Sequence, residues 1–357
     1  MQMAIGLARR GLGTVAPNPA VGCVIARAGQ VVGIGWTQPG GRPHAETVAL
    51  KMAGDAARAA TAYVTLEPCS HHGKTPPCAE ALIASGIARV VVAIGDPDDR
   101  VSGRGLKMLA DAGITVETGL CSQEAAFDQA GFLLNRTANR PLVTLKCATS
   151  LDGKIATASG HSKWITGPAA RRVGHRLRAD HDAILVGSGT ALADDPSLTC
   201  RLPGLEHQSP LRVVMDGRAR LRLDSALVKT ADDVPVLLHC GAAAAPSDLD
   251  ALRAGSVTVV QDSERERPDF SGVLEDLAHR GVTRLLIEGG GQIAVTALAS
   301  GLVDRIAWFR AGCVIGGDGI PAIASLGLVE MGQAPRFERV GMQIFGKDVL
   351  ETYASRQ

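Results

Sequence analysis

Four residues in the first quarter of the sequence have side chains that could bind a metal ion and move a proton: His44, Glu46, Cys69 and Cys78. One imidazole and two thiolates supply three ligands for a tetrahedral Zn²⁺ and leave the fourth position open for water. Zinc lowers the pKa of such a water to about 7, which makes hydroxide available at neutral pH. Glu46 need not bind the metal and could instead carry the water's proton to a leaving group. These residues predict a catalytic zinc site.

The spacing of these residues narrows the chemistry. A His-x-Glu triplet opens one helix, a strand ends in Pro68-Cys69, and Cys78 opens the next helix. This pattern is typical of zinc enzymes that remove an amino group from a nucleobase. Each signal is weak alone, because an isolated cysteine is more often a buried apolar residue than a ligand. Together they favour hydrolytic deamination of a nucleobase-like ring, although eight residues separate Cys69 from Cys78 where the pattern usually has two.

Two glycine-rich turns occur in the second half of the sequence, each after a strand-like apolar run. They are GSGT at 187–190 and EGGGQ at 288–292. Glycines between a strand and a helix let backbone N–H groups approach a phosphate at the helix N-terminus. Neither turn is a G-x-G-x-x-G fingerprint, and a glycine cluster is often only a tight turn. The residues alone therefore leave a nucleotide site and a structural role both open.

The elements that must position these residues alternate between strands and helices. Residues 1–10 predict an amphipathic helix, and two apolar runs within 21–35, around Ala28-Gly29, predict a hairpin. The periodicity then predicts helices and strands in the order helix 45–52, strand 62–66, helix 79–85, strand 89–94, helix 105–112 and strand 114–118. Such alternation predicts an α/β fold in which helices cover a layered sheet.

A polar stretch at 136–141 that ends in Pro141 predicts a domain boundary. We place one domain at 1–137 and a second at 141–357, and we expect residues 241–268 to be variable surface. The second domain contains strand candidates at 142–147, 183–186, 211–215, 234–239, 257–260, 284–287 and 305–309, followed by a closing hairpin at 337–353.

The composition excludes several classes of function. With 357 residues, a net charge of +1 and 3% aromatic residues, the chain has no electrostatic footprint for long nucleic acids. No run approaches the about 18 apolar residues of a membrane span, and the N-terminus lacks the features of a signal peptide. The eight cysteines show no regular disulfide framework. We therefore expect a cytoplasmic protein with no nucleic-acid and no membrane partner.

Motifs along nearly the whole chain resemble the bifunctional deaminase/reductase family of riboflavin biosynthesis. In the first domain these motifs are PNPAVG at 17–22, TLEPC at 65–69 and the long loop PCSHHGKTPPC at 68–78. In the second domain they are KCATSLDGK at 146–154, WIT at 164–166 and ADDPSLT at 193–199.

For the first domain, the resemblance implies a cytidine-deaminase-like α/β/α sandwich. Its substrate would be a diamino-pyrimidinone joined to ribose 5-phosphate, a small phosphorylated pyrimidine, and the reaction would replace the exocyclic amine with oxygen. Asn18 would orient the ring through its amide, which both donates and accepts hydrogen bonds. His71 and Lys74 would hold the ribose phosphate. Asp98 stands where relatives often carry asparagine, and this substitution removes hydrogen-bond donors.

For the second domain, the resemblance implies a dihydrofolate-reductase-like α/β fold that binds NADPH and delivers hydride to C1 of the ribosylamine. The cofactor would be lined by Thr149, Trp164, Thr190, Asp194, Gly217, Gly289, Gly290, Gly291, Gln292, Ile293, Ala294 and Val295. The substrate would be bound by Ser162, Arg178, Leu198, Arg201 and Glu288. Lys146, Asp194 and Glu288 are three candidates for the proton donor, and Arg218 is a candidate for the 2′-phosphate of NADPH.

Two alternatives remain at this level. A nucleoside or tRNA-base deaminase fused to a non-catalytic nucleotide-binding domain would need a basic patch beside the zinc loop. A structural zinc module would need four protein ligands, and only three fall at suitable positions. We also expect the chain to form a homo-oligomer.

Overall fold

The computed structural model describes residues 1–72, 76–98 and 101–356. Within this part of the chain the residues form two compact units, Met1–Arg140 and Pro141–Gln357. Each unit has its own sheet and its own buried apolar core. No helix of the described residues is both long enough and apolar enough to cross a bilayer.

The first unit is built on a five-stranded sheet in the order β2-β1-β3-β4-β5. Strands β1, β2 and β3 pair antiparallel, whereas β3, β4 and β5 run parallel. Its elements are α1 (Gln2–Ala8), β1 (Gly22–Arg27), β2 (Gln30–Trp36), α2 (Ala45–Ala53), β3 (Thr61–Val64), α3 (Cys78–Ala84), β4 (Arg89–Val92), α4 (Arg104–Asp111), β5 (Thr115–Thr118) and α5 (Ser122–Ala138).

Close packing of α2 on the β1–β2 hairpin fixes the position of His44, the residue that precedes α2. A Cβ atom at Gly35 would lie 2.2 Å from the carbonyl oxygen of Ala45, and one at Gly33 would lie 2.3 Å from that of Ala49. Only glycine lets a helix backbone approach a strand this closely. The N-terminus of α2 is therefore held directly against the sheet.

The second unit has a nine-stranded sheet in the order β11-β10-β9-β8-β12-β6-β13-β16-β15, and β7 pairs with β14 in a small separate sheet. The strands from β11 to β13 run parallel, and β13, β16 and β15 pair antiparallel. The elements are β6 (Leu142–Thr149), β7 (Lys154–Ala156), α6 (Pro168–Ala179), β8 (Ala183–Gly187), α7 (Ser188–Asp194), β9 (Leu211–Met215), α8 (Ala226–Lys229), β10 (Val236–Cys240), α9 (Pro246–Ala254), β11 (Val257–Gln261), α10 (Phe270–His279), β12 (Arg284–Ile287), α11 (Gly291–Ala299), β13 (Arg305–Arg310), β14 (Ile320–Pro321), β15 (Phe337–Phe345) and β16 (Asp348–Ser355).

The structure confirms that every predicted strand and helix exists, with bounds that shift by a few residues. Several helices lie where none was predicted, among them α5 and α9. The polar stretch at 136–141 begins inside the last turn of α5, and α9 lies within 241–268, the segment expected to be variable surface. Since α9 buries Leu249 and Leu252 against the sheet, that expectation was wrong for this part of the segment.

Candidate active sites

The three predicted zinc ligands come together in the first unit. His44 is the residue that precedes α2, Cys78 is the first residue of α3, and Cys69 lies in the segment between β3 and α3. His44 Nδ1 lies 3.3 Å from Cys78 Sγ and 3.6 Å from Cys69 Sγ, and all three ligand atoms lie within 4.8 Å of one another. A compact set of one imidazole nitrogen and two sulfurs fits a tetrahedral Zn²⁺.

Glu46 lies beside this cluster in the first turn of α2 and is only 3% exposed. It shares a cavity with His44, Cys69, Asn18 and His71. The structure therefore places the proposed proton carrier and two predicted substrate residues at one metal cluster. Lys74 lies outside the described residues.

His71 and Asn18 differ in how they are held. The ring Nδ1 of His71 is buried and has no hydrogen-bond partner among the described residues. Such an atom loses hydration without compensation unless a ligand supplies a partner. The backbone N–H of Asn18 donates to the carbonyl of Val15 at 2.9 Å, so a turn carries its side chain into the cavity.

The cavity also contains side chains that the sequence did not single out as ligands, among them Thr37, Arg42, Phe132 and Arg136. Phe132 and Arg136 lie on α5, one of the helices that were not predicted, and the Arg136 guanidinium stacks 5.4 Å from the centroid of the Phe132 ring. Nothing in the local spacing of these residues indicated that they would line a site.

Asp96 and Asp98 reach the same cavity from the segment after β4. Burial, together with the negative charge of Asp98, raises the pKa of Asp96 to about 6, although the backbone N–H of Asp98 opposes this shift. The position where Asp98 replaces an expected asparagine therefore lies in the site, beside a carboxyl group that it perturbs.

The second unit gathers a separate set of predicted residues around a buried carboxylate. Glu288 receives two hydrogen bonds from Arg178, at 2.7 Å and 3.0 Å, and Lys146 Nζ lies 3.4 Å from its Oε2. Burial alone would raise the pKa of Glu288, but the charges of Lys146 and Arg178 hold this pKa well below its ordinary value. Glu288 is therefore an ionised anchor for two cations.

Other predicted substrate and cofactor residues line the same cavity, namely Ser162, Trp164 and Arg201. Two neighbours on α6 were missed. Arg171 stacks on the Trp164 ring at 4.4 Å from its centroid, and His175 accepts the backbone N–H of Arg201 at 3.3 Å. Burial and the charges of Arg178 and Arg201 lower the pKa of His175.

The two glycine-rich turns lie side by side. Strands β8 and β12 are parallel neighbours, so the turns that follow them meet at the carboxyl edge of the sheet, where such folds bind ligands. The backbone N–H of Gly290 donates to Thr190 Oγ1 at 3.1 Å and ties one turn to the other. Gln292, Ile293, Ala294 and Val295 follow in the first turns of α11.

Some predicted residues lie outside the cavity around Glu288. Leu198 is 3% exposed and packs in an apolar core with a φ of +55°. Thr149 is buried, and its hydroxyl accepts the Trp308 indole N–H at 2.9 Å. Asp194 is exposed at the end of α7, and Gly217 follows β9. Ile293 and Ala294 turn their side chains into the core, which leaves only their backbone for a ligand.

Two protein-family models match the chain, one in each unit. Residues 1–94 match the model of the cytidine and deoxycytidylate deaminase zinc-binding region, and residues 141–350 match the model of the RibD C-terminal domain. The chain is 42% identical over 353 residues to the riboflavin biosynthesis protein RibD of Bacillus amyloliquefaciens, which covers 99% of this chain and 94% of the relative.

Two solved structures are similar over the full length. The Acinetobacter baumannii RibD structure, form 1, has a TM-score of 0.88 and 37% identity, and covers 100% of this chain and 98% of that one. A diaminohydroxyphosphoribosylaminopyrimidine deaminase/5-amino-6-(5-phosphoribosylamino)uracil reductase from Thermotoga maritima has a TM-score of 0.86 and 33% identity, and covers 100% and 97%. With its zinc-binding deaminase domain followed by a reductase domain, this chain belongs to the RibD family of bifunctional riboflavin biosynthesis enzymes.

Proposed function

We propose that the first unit deaminates 2,5-diamino-6-(5-phosphoribosylamino)pyrimidin-4(3H)-one by hydrolysis. The second unit would then reduce the ribosyl chain of 5-amino-6-(5-phosphoribosylamino)uracil to ribityl. The observation that carries the proposal is the cavity that joins the His44–Cys69–Cys78 cluster to a buried Glu46. The similar Thermotoga maritima enzyme is named for this deaminase activity and for reduction of the same uracil intermediate.

In the deamination site, His44, Cys69 and Cys78 would hold zinc, which when bound supplies a water acidic enough to attack the ring. Glu46 would accept the water's proton at its carboxylate and return it to the departing amine. Its burial beneath the cavity keeps the carboxylate close to the reacting atoms and away from bulk water. Asn18 would orient the ring, and His71 and Lys74 would bind the ribose phosphate.

In the reduction site, Arg178 and Arg201 would bind the substrate phosphate, because guanidinium groups match its oxygens. Glu288 stays ionised at neutral pH and so has no proton to give. Asp194 is exposed at the end of α7. Lys146, whose ammonium group lies in the cavity 3.4 Å from Glu288, would therefore be the proton donor.

We infer that NADPH is the reductant and that, when bound, it supplies the hydride. The glycine turns after β8 and β12, which lie side by side, would present backbone N–H groups to its phosphates. Trp164 and the first turn of α11 would contact the rest of the cofactor. Arg218, which is exposed just past β9, stays a candidate for the 2′-phosphate, and Arg220, bonded to Ser188 Oγ at 2.8 Å, is a second.

We also propose that the enzyme is a cytoplasmic homo-oligomer. All eight cysteines are free, as is usual for proteins of a reducing compartment. Strand β15 is an edge strand of the large sheet and exposes Val340, Met342 and Ile344. An exposed apolar edge of this kind is a template for pairing with another chain. Sedimentation of the purified protein would measure its mass in solution.

The decisive experiment supplies the diaminopyrimidine with and without NADPH and identifies the products by mass. We expect the deaminated ribosylamino-uracil without NADPH and its ribityl product with NADPH. Glu46→Gln should keep zinc but slow deamination by about 10²–10⁴, and Lys146→Met should block only the reduction. Deamination without any NADPH oxidation would instead support the deaminase with a non-catalytic second domain.

A further inference from the structure

The segment that leads from β2 to His44 contains two adjacent glycines with left-handed backbones. Gly40 has a φ of +76° and Gly41 a φ of +81°. The N–H of Gly40 donates to the carbonyl of Thr14, and that of Gly41 donates to the carbonyl of Gln38, each at 2.9 Å. Both residues therefore carry the same conformational constraint, since a non-glycine residue is disfavoured at positive φ.

The surroundings of the two glycines differ. A Cβ atom built at Gly40 meets nothing within 4 Å. A Cβ atom built at Gly41 would lie 2.0 Å from Nδ2, 2.5 Å from Cγ and 2.8 Å from Cβ of Asn18. These distances are far below the about 3.5–4.0 Å of an ordinary carbon contact. The Asn18 amide therefore packs directly against the backbone of the buried Gly41.

We propose that Gly41 is a positioning residue for deamination, because it fixes the orientation in which the Asn18 amide faces the cavity. This inference rests on the proposed function, in which Asn18 orients the pyrimidine. An amide that donates from one end and accepts at the other can match a ring edge in only one rotation. A methyl group at position 41 would push the amide out of that rotation, whereas one at position 40 would not touch it.

The test compares Gly41→Ala with Gly40→Ala in the full-length zinc-loaded enzyme, with the diaminopyrimidine as substrate. Both variants carry the positive-φ penalty, so their difference isolates the contact with Asn18. The kcat/KM for deamination should fall at least about tenfold further in Gly41→Ala than in Gly40→Ala, the equivalent of one hydrogen bond. Zinc content and the reductase rate should be the same in both.

A second pair of variants separates a positioning role from general damage. Asn18→Gly removes every side-chain atom that the new methyl would meet. The double variant Gly41→Ala/Asn18→Gly should deaminate no more slowly than Asn18→Gly alone, because two changes that act through one amide are not additive. If Gly41→Ala loses its zinc or unfolds, the double variant should bind zinc and fold again.

Three results would overturn the inference. These are equal kcat/KM in Gly41→Ala and Gly40→Ala, losses that multiply in the double variant, and a double variant that stays unfolded where Gly41→Ala is unfolded. If kcat/KM is equal in Gly41→Ala and Gly40→Ala while Asn18→Gly deaminates slowly, the role of Gly41 is refuted and the proposed function stands. Normal deamination by Asn18→Gly refutes the proposed role of Asn18 itself, and the inference fails with it.

Discussion

Glu67, the residue before the Pro-Cys pair of the zinc site, offers a sharp test of how the first unit holds its cavity together. Its side chain is 4% exposed. Oε1 accepts the backbone N–H groups of Gly105 at 3.0 Å and Leu106 at 3.3 Å. Oε2 accepts those of Gly103 at 3.1 Å and Asp96 at 3.4 Å. One carboxylate thus anchors both the start of α4 and the segment that brings Asp96 to the cavity.

The destabilisation expected for Glu67→Gln follows from the number of hydrogen bonds that the carboxylate accepts. Glutamine keeps one acceptor oxygen, but its amide NH₂ would face two backbone donors that it cannot satisfy. A hydrogen bond to a charged group contributes about 1.5–3 kcal/mol, so the loss of two should lower the free energy of unfolding by at least about 3 kcal/mol. For a unit of this size that corresponds to a fall in Tm of about 10 °C.

The matched control is Glu117→Gln in the same unit. Glu117 also accepts two hydrogen bonds, from Arg89 at 2.8 Å and 2.7 Å, but both side chains are well exposed. Because solvent screens this exposed pair, its loss should change the free energy of unfolding far less than the loss of the Glu67 carboxylate. Differential scanning calorimetry of the full chain measures the Tm of both variants. Deaminase activity that remains after heating reports on the first unit. A Glu67→Gln protein as stable as Glu117→Gln would refute the reasoning, and the reductase should be unaffected by either change.

Three further predictions follow from the same structure. Cys69→Ser and Cys78→Ser should each lose zinc in metal analysis, and full retention in both would remove the ligand assignment. Residues 141–357, expressed alone, should oxidise NADPH faster than NADH with the uracil intermediate present; equal rates would refute the cofactor preference. Burial lowers the pKa of His181 to about 3. As pH falls below the ordinary histidine pKa of about 6.5, only the unfolded chain gains this proton, so the free energy of unfolding should fall by about 2 kcal/mol between pH 7 and pH 5. His181→Gln should show a shallower pH dependence in denaturant titrations, and an unchanged slope would contradict this.

How much of the fold the sequence predicts depends on how each element is buried. Strands β9 and β12 were predicted with their observed bounds, because a parallel strand covered on both faces is a nearly continuous apolar run, here with a single arginine in each strand. Helix α5 was missed because Gln129 and Gly131 occupy its buried face. The amide of Gln129 is buried because it donates to the carbonyl of Ala20, and no local pattern reveals a contact between residues so far apart.

The same distinction applies to the sites. The zinc ligands could be found because few residue types bind zinc and their positions at helix starts are readable. Arg42 and Arg136 could not be identified from the sequence, because an arginine is ordinarily a surface residue. Only the tertiary fold brings these two side chains to the cavity. Gly41 shows no signal at all, since its importance lies in the side chain that packs on its bare backbone.

The reduction site contains one signal that the sequence did offer. Arg171, His175 and Arg178 are spaced by four and three residues, so they share one face of α6. Of this face, Arg178 pairs with Glu288, which directly follows β12. Because Glu288 also pairs with Lys146, a substitution there releases two cations at once. A substitution at Glu288 should therefore slow reduction more than removal of Arg178 alone, which leaves the Lys146–Glu288 pair in place.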